Sequence, residues 1–191
     1  MTLSFTFITI TLLAFTLFYY GTGKDKRVLA LSALWLLLVG IISYAGYFTN
    51  TAARPPRFLL ILSGAVILSI SFYQILKNKQ FNLNCLFAIH TLRFPLEFIL
   101  YRLFIEKKIP VLMTFRGWNF DILVGISAII LLLHLQLANK LPKSFVLVWN
   151  IIGLLFLVLI VTIAILSSPL PFQQLAFDQP NIAVLYFPFV Y

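Results

Sequence analysis

The stretch FVLVWNIIGLLFLVLIVTIAIL, residues 145–166, is an apolar run without a single charged side chain. A helix needs about 20 apolar residues to cross the hydrocarbon core of a bilayer, so this run is long enough. A membrane β-strand would instead alternate polar and apolar residues over about ten positions, and this run does not. Because lipid offers no hydrogen bonds to an exposed backbone, the run predicts a transmembrane α-helix.

The composition of the whole chain agrees with this interpretation. Its 191 residues are 62% hydrophobic and 10% charged, and the mean hydropathy is +1.04. Soluble domains carry about 25% charged residues, so this chain is too poor in charge to cover a water-facing surface. The formal net charge is +9, but the basic residues lie mostly between apolar runs, where they contact lipid headgroups. We therefore expect membrane lipids as partners and no nucleic acid. The single cysteine, Cys85, excludes an internal disulfide framework.

Six apolar runs of spanning length predict an all-α, polytopic transmembrane helical bundle that forms one domain over residues 1–191. The predicted spans are residues 1–20, 28–48, 58–76, 83–105, 120–138 and 145–166. The first run lacks a basic start and a small-residue cleavage site, so we interpret it as a retained helix rather than a signal peptide. Most connections are short, which favours antiparallel neighbours.

The tail, residues 167–191, differs from the six spans. It holds four of the nine prolines and ends in an apolar stretch, residues 182–191. Ten residues make a helix of about 15 Å, half of a bilayer. The tail is therefore predicted to be a partial or re-entrant seventh segment, with a truncated seventh helix as the favoured version.

The distribution of Lys and Arg predicts the orientation weakly. The first, third and fifth loops carry seven of these residues, whereas the second and fourth carry five, or six with Arg102. Cytoplasmic loops are the richer in Lys and Arg. We expect an inner (plasma) membrane protein with its N-terminus outside and its odd loops in the cytoplasm.

The fourth span carries a polar stripe, which is the main candidate for a functional site. At 100° per residue, His90, Arg93, Glu97 and Tyr101 share one helix face. Arg93 and Glu97 lie near the middle of the span, where each charge costs about 2.5 to 3.5 kcal/mol. The stripe must therefore face the interior of the bundle, pair internally or meet water.

Two interpretations of the stripe stay open. In the structural one, Arg93 and Glu97 form an ion pair across one helical turn, and Arg93 caps the Thr91 carbonyl that Pro95 leaves without an N–H. In the functional one, which we favour slightly, the stripe lines a cavity that holds a polar ligand or relays protons.

Further polar residues predict a vestibule above the stripe. Asn119 and Asp121 precede or begin the fifth span, and Asp178 and Asn181 lie in the tail on the same predicted side. A vestibule requires Asp178 within about 15 Å of Glu97, ten residues of helical rise. Asp121 has a simpler explanation as well, because a carboxylate in the first turn of a helix is favoured by the helix dipole.

Cofactor and catalytic motifs are scarce. The two histidines, His90 and His134, differ in predicted depth by about 6 Å, which suits bis-histidine haem poorly. There is no phosphate-binding loop, zinc-protease motif or serine-hydrolase motif. We expect no cofactor and no metal site.

Three segments resemble an uncharacterised family of small bacterial multi-pass integral membrane proteins with no assigned activity. They are LRFPLEFILY (residues 92–101), MTFRGWNFDIL (residues 113–123) and AFDQPNIAVLYFPF (residues 176–189). The resemblance covers about the last 110 residues and implies bacterial origin, the multi-pass topology and a further helix beyond the tail. It implies no activity.

Three functions follow from these observations. The first is a transporter, or a binding or sensing protein, for a small polar or anionic molecule or protons, with Arg93 on an anionic group and Glu97 as counter-charge or proton carrier. The second is an intramembrane enzyme acting on a lipid or quinone, with Glu97 or His90 as general base. The third is a structural or assembly subunit. A homo-oligomer or a partner subunit is compatible with each.

Overall fold

A computed structural model of the chain describes residues 2–138 and 140–191, and this part is helical without any β-strand. The α-helices are α1 (Leu3–Gly21), α2 (Lys26–Tyr44), α3 (Leu59–Leu76), α4 (Leu83–Thr91), α5 (Arg93–Ile105), α6 (Asp121–Ala138) and α7 (Lys143–Leu166). Short 3-10 turns follow α2, α5 and α7 at Tyr47–Thr49, Val111–Met113 and Ala183–Leu185. The predicted helical bundle is therefore confirmed.

Five helical segments are long and apolar enough to cross a membrane. They are Leu3–Gly21, Lys26–Tyr44, Leu59–Leu76, the combined α4 and α5 from Leu83 to Ile105, and Lys143–Leu166. The remaining predicted span is a helix too, but its apolar part, Asp121–Leu137, is shorter than these five. The prediction of six full spans plus a seventh segment was therefore wrong in number, although the helices carry the composition of a membrane-embedded protein.

The fourth span is interrupted at Leu92, between α4 and α5. Pro95 has no N–H to donate to the Thr91 carbonyl, so the helix lacks one backbone hydrogen bond at this point. The Thr91 hydroxyl instead donates to the carbonyl of Ala88 at 2.7 Å. The interruption begins α5 at Arg93, the first charged residue of the stripe.

The tail forms no α-helix, which corrects the predicted truncated helix. Four prolines, each without an N–H, break any regular helical ladder there. The backbone N–H groups of Ile182 and Ala183 donate to the carbonyl of Lys108 at 3.0 and 3.1 Å. The Tyr191 hydroxyl donates to the carbonyl of Leu36, in the middle of α2, at 2.6 Å. The tail is thus irregular backbone that packs against the ends and flank of the bundle.

One close backbone approach joins α5 to α6. An added Cβ at Gly125 of α6 would lie 2.6 Å from the backbone nitrogen of Phe94 in α5. Only glycine permits this approach, and small residues at helix contacts are typical of membrane bundles. The main hydrophobic core lies beside this contact and joins α1, α5 and α7 to the Val111–Met113 turn and the tail; its buried members are Phe7, Ile99, Leu103, Ile109, Met113, Ile160, Ile163 and Ala183.

Candidate functional site

Arg93 forms an ion pair with Asp121, across the contact between α5 and α6. The Arg93 Nη1 lies 2.6 Å from the Asp121 Oδ1, and the two side chains are 16% and 11% exposed. A second, longer contact joins the same nitrogen to the carbonyl of Gly153 in α7, at 3.5 Å. The structural interpretation of the stripe required a pair between Arg93 and Glu97 and capping of Thr91 by Arg93. Neither contact forms, because the guanidinium turns away from its own helix toward α6 and α7.

Glu97 is fully buried, with 0% of its surface exposed. Its Oε1 accepts a hydrogen bond from the Asn119 Nδ2 at 2.6 Å. Its Oε2 is enclosed and has no hydrogen-bond partner in the described part of the chain. Buried polar atoms are nearly always satisfied, so this oxygen is an exception among the buried polar groups.

Asn119 connects Glu97 to the start of α6. Besides its bond to Glu97, its Nδ2 donates to the carbonyl of Met113 at 3.1 Å. Its Oδ1 accepts from the backbone N–H of Asp121 at 3.0 Å. One amide therefore orients Glu97, the preceding turn and the residue that pairs with Arg93.

Residues 111–120 run back along α5 before α6 begins. Phe115 stacks on Tyr101 with ring centres 5.1 Å apart, Asn119 contacts Glu97, and Asp121 contacts Arg93. Arg93 lies twelve residues before Ile105, which corresponds to about 18 Å along α5. The N-terminus of α6 consequently lies deep in the bundle rather than at its edge.

Tyr101 lies at the outer end of the contact between α5 and residues 111–120. Its hydroxyl accepts a hydrogen bond from the Arg116 Nη1 at 3.1 Å, and the guanidinium lies 5.8 Å from the centre of the Tyr101 ring. Sequence reasoning counted Arg116 only as a basic loop residue. No spacing rule relates two residues in different segments, so this pair had no signal in the sequence.

His90 lies apart from the charged residues. Its ring meets the Trp149 ring of α7 edge-on, with centres 5.0 Å apart and an interplanar angle of 83°. Trp149 donates from its Nε1 to the Ser127 hydroxyl at 3.0 Å. The predicted stripe is thus divided among three neighbourhoods: His90 with α7, Arg93 and Glu97 with the start of α6, and Tyr101 with Arg116.

The two tail residues do not join this site in the same way. Asp178 is exposed. Asn181 is buried and satisfies the end of α7, since its backbone N–H donates to Ser167 O at 2.8 Å and its Nδ2 donates to Ala164 O at 3.2 Å. The nearby Gln179, which sequence reasoning missed, donates to the carbonyls of Phe104 and Ile109 at 2.9 and 2.6 Å. The predicted vestibule that links Asp178 to Glu97 stays a prediction.

His134, the second histidine considered for haem, lies on an exposed face of α6. In residues 2–138 and 140–191, no group of three or more His, Cys, Asp or Glu side chains is arranged to hold a metal ion.

Comparison of the chain with known protein families, with characterised proteins and with solved structures finds no match. The function must therefore be argued from the geometry of the site.

Proposed function

We propose that this chain is a multi-pass protein of a bacterial inner membrane in which Glu97 binds and releases a proton, in the course of transporting or sensing protons or a small polar solute. The observation that carries the proposal is the Glu97 carboxyl group, fully buried with one oxygen bonded to Asn119 and the other free. Buried ionisable groups in membrane helices are expensive and mark proton relays and substrate pathways.

The charge of the site favours a proton or a cation over an anion. Arg93 is already neutralised by Asp121 at 2.6 Å, so an anionic solute would have to displace that carboxylate. With all three groups ionised, the formal charge is one positive against two negative, or −1. The site therefore attracts positive charge, and the free oxygen of Glu97 is where this charge would bind.

The discontinuous backbone around Glu97 supports the same proposal. The α4–α5 span is interrupted at Leu92, and α6 begins deep in the bundle after the irregular residues 111–120. Irregular backbone at this depth is tolerated where it is buried in protein or lines a cavity. Transporters commonly build their binding sites from broken helices of this kind.

The structural alternative is favoured by one observation, the ion pair that joins α5 to α6. A purely structural network has no need of a free carboxyl oxygen, and it predicts that Glu97 keeps one protonation state.

Infrared spectroscopy tests the proton site directly, because the chain has only two glutamates, Glu97 and Glu106. In protein with carbon-13-labelled glutamate and the change Glu106→Gln, the labelled side-chain signal comes from Glu97 alone. We expect a protonated carboxyl band that is lost as the pH rises, and its absence after Glu97→Gln. A band that does not titrate while the protein stays folded would reject the proton site.

Reconstituted vesicles test the transport half of the proposal. With a pH-sensitive dye inside and an imposed proton gradient, the protein should speed dissipation of the gradient. Glu97→Gln should abolish this effect. Glu106→Gln is the matched control, because Glu106 lies in an exposed pair with Lys108, and it should behave like the unchanged protein. If Glu97 titrates but the protein carries no proton flux, proton transport is excluded and the sensing of a solute is the part of the proposal that stands.

A further inference from the structure

A cavity lies between α4 and the start of α7. Its volume is about 240 Å³, and it is lined by Leu83, Leu86, Phe87, His90, Val146, Trp149 and Asn150. An engineered cavity of about 150 Å³ with apolar walls binds benzene in another protein. The His90 cavity, as we call this space, is therefore large enough for one substituted ring.

Two polar side chains, His90 and Asn150, line the His90 cavity. The His90 Nδ1 is enclosed, so Nε2 is the ring nitrogen that a ligand can reach. Asn150 uses its Nδ2 to donate to the carbonyl of Val146 at 2.8 Å, and no described residue donates to its Oδ1. A neutral histidine has one acceptor nitrogen and one donor nitrogen. A hydroxyl group, which both donates and accepts, can bond to Nε2 in either tautomer and can donate to the Asn150 Oδ1.

The walls of the cavity favour a flat ring. Phe87 and Trp149 lie side by side, with ring centres 5.3 Å apart. The Trp149 ring is held in place, because its Nε1 donates to the Ser127 hydroxyl. Aromatic rings prefer tilted and edge-to-face neighbours at such distances.

The depth of the polar groups fits a ligand that enters from lipid. His90 is seven residues from Leu83, and Asn150 is seven residues from Lys143, so both lie about 10 Å inside the starts of their helices. An acyl chain at this depth would leave His90 and the Asn150 Oδ1 without a hydrogen-bond partner, and a free ion would pay the cost of dehydration. A ring with a hydroxyl group satisfies both demands.

We propose that the His90 cavity binds the ring and hydroxyl group of a membrane-soluble phenol. The hydroxyl donates to His90 or to Asn150, and the ring packs against Phe87 and Trp149. This site is separate from Glu97, so it stands or falls independently of the proton site.

Quenching of Trp149 fluorescence by para-bromophenol tests the proposal. The chain has three tryptophans, and Trp35→Phe with Trp118→Phe leaves Trp149 as the only emitter. In this background, reconstituted in nanodiscs, we expect saturable quenching by para-bromophenol. Bromobenzene, the same ring without the hydroxyl, should bind more weakly by about fivefold, the value of one hydrogen bond.

Two histidine variants sharpen the test. His90→Phe keeps a ring and removes the nitrogens, so it should weaken para-bromophenol binding about fivefold and leave bromobenzene unchanged. His134→Phe is the matched control on the exposed face of α6 and should change neither. Helical circular dichroism and size-exclusion chromatography check that each variant folds.

The proposal would be overturned by quenching that rises linearly with both ligands, which indicates partition into lipid alone. It would also be overturned if His90→Phe and Asn150→Leu both bind para-bromophenol as the parent does. Should the tryptophan-depleted parent fail to fold, displacement of tritiated phenol from the unchanged protein gives the same comparison between the two ligands.

Discussion

The acidic residues of the site are held by two different kinds of contact. Arg93 and Asp121 neutralise each other in a bond between two helices, whereas Glu97 has only an amide to hold it. A paired charge is fixed in one state, but a carboxyl group bonded through one oxygen can gain or lose a proton without breaking an ion pair. In our proposal, therefore, Asp121 joins two helices and Glu97 carries the proton.

We predict that Asp121→Asn destabilises the protein by about 3 kcal/mol, because it leaves the Arg93 cation buried without a counter-charge. Arg93→Met should cost a similar amount. The double variant should recover most of the loss, since neither charge then remains unpaired. Unfolding in a detergent titration measures all three variants.

The exposed pair of Glu106 and Lys108 provides the control for this cycle. Its side chains are 40% and 44% exposed, and exposed pairs contribute about 1 kcal/mol or less. Glu106→Gln should therefore barely move the unfolding midpoint. A double variant as unstable as either single one would show that the Arg93–Asp121 pair does not govern stability.

At this scale the sequence shows which charged residues lie inside an apolar run, but not which residues they contact. Arg93 and Glu97 stand out because charges are rare in an apolar run. The two residues do not pair with each other. A sequence shows which residues lie one helical turn apart, but it does not show which residues of different helices meet. The true partner, Asp121, lies 28 positions away, and it comes within reach only because Gly125 admits Phe94.

Among the elements, the contact between α5 and α6 positions the site. We predict that Gly125→Ala lowers the melting temperature by several degrees and weakens the Arg93–Asp121 pair, because the new Cβ would lie 2.6 Å from backbone that cannot give way. Gly153→Ala is the matched control, also buried in a helix, where the nearest atom to a Cβ is 3.6 Å away. That change should be neutral or stabilising, since alanine favours helix by up to about 1 kcal/mol. Equal effects of the two changes would argue against a tight contact at Gly125.

The contacts of Asp25, at the start of α2, predict that the stability of the fold depends on pH. Asp25 accepts hydrogen bonds from Arg27 and lies 3.1 Å from Lys79, and these contacts, Arg27 above all, hold the pKa of its carboxyl well below the usual range. A carboxyl group with a lowered folded-state pKa stabilises the fold above its unfolded pKa of about 3.9. That stabilisation is lost as the pH falls toward the folded-state value.

Asp25→Asn should therefore lower the melting temperature by a constant amount at neutral and mildly acidic pH. The difference from the unchanged protein should shrink only in stronger acid, below about pH 4, where the unfolded carboxyl is protonated. Melting curves of both proteins over pH measure this difference. A gap that closes near neutral pH would contradict the assignment to Asp25.

Helix positions were predictable where an apolar run is bounded by charge, as in α3 and α7. Helix positions were not predictable where tertiary contacts determine the end of a helix. The second span was predicted to reach residue 48, but α2 ends at Tyr44, before the turn at Gly46 with its φ of +74°. Residues 111–119 were interpreted as part of a loop, because nothing in their composition reveals that they fold back along α5.

Over the whole molecule, the loops form two groups, because loops separated by two helices lie at the same end of the bundle and loops separated by one helix lie at opposite ends. Residues 22–25 and 77–82 lie at one end of the bundle, and residues 45–58 and 106–110 lie at the other, beside the start of α1. The tail belongs to this second end, because Phe189 packs on Phe7 with ring centres 5.2 Å apart. Counted with the adjacent helix ends and the fifth loop, the first end carries seven Lys and Arg residues against five or six at the second, so we predict that the first end is cytoplasmic.

Single cysteines test this arrangement, in a background where Cys85→Ser removes the one natural thiol. Asn50 and Asn78 are exposed residues of the second and third loops. A membrane-impermeant maleimide added to intact cells should label Asn50→Cys and spare Asn78→Cys, and permeabilised cells should label both. The reverse pattern would invert the orientation and leave the bundle intact. Labelling of both positions in intact cells would mean that α3 does not cross the membrane, since only a spanning helix can keep residues 28 positions apart on opposite sides.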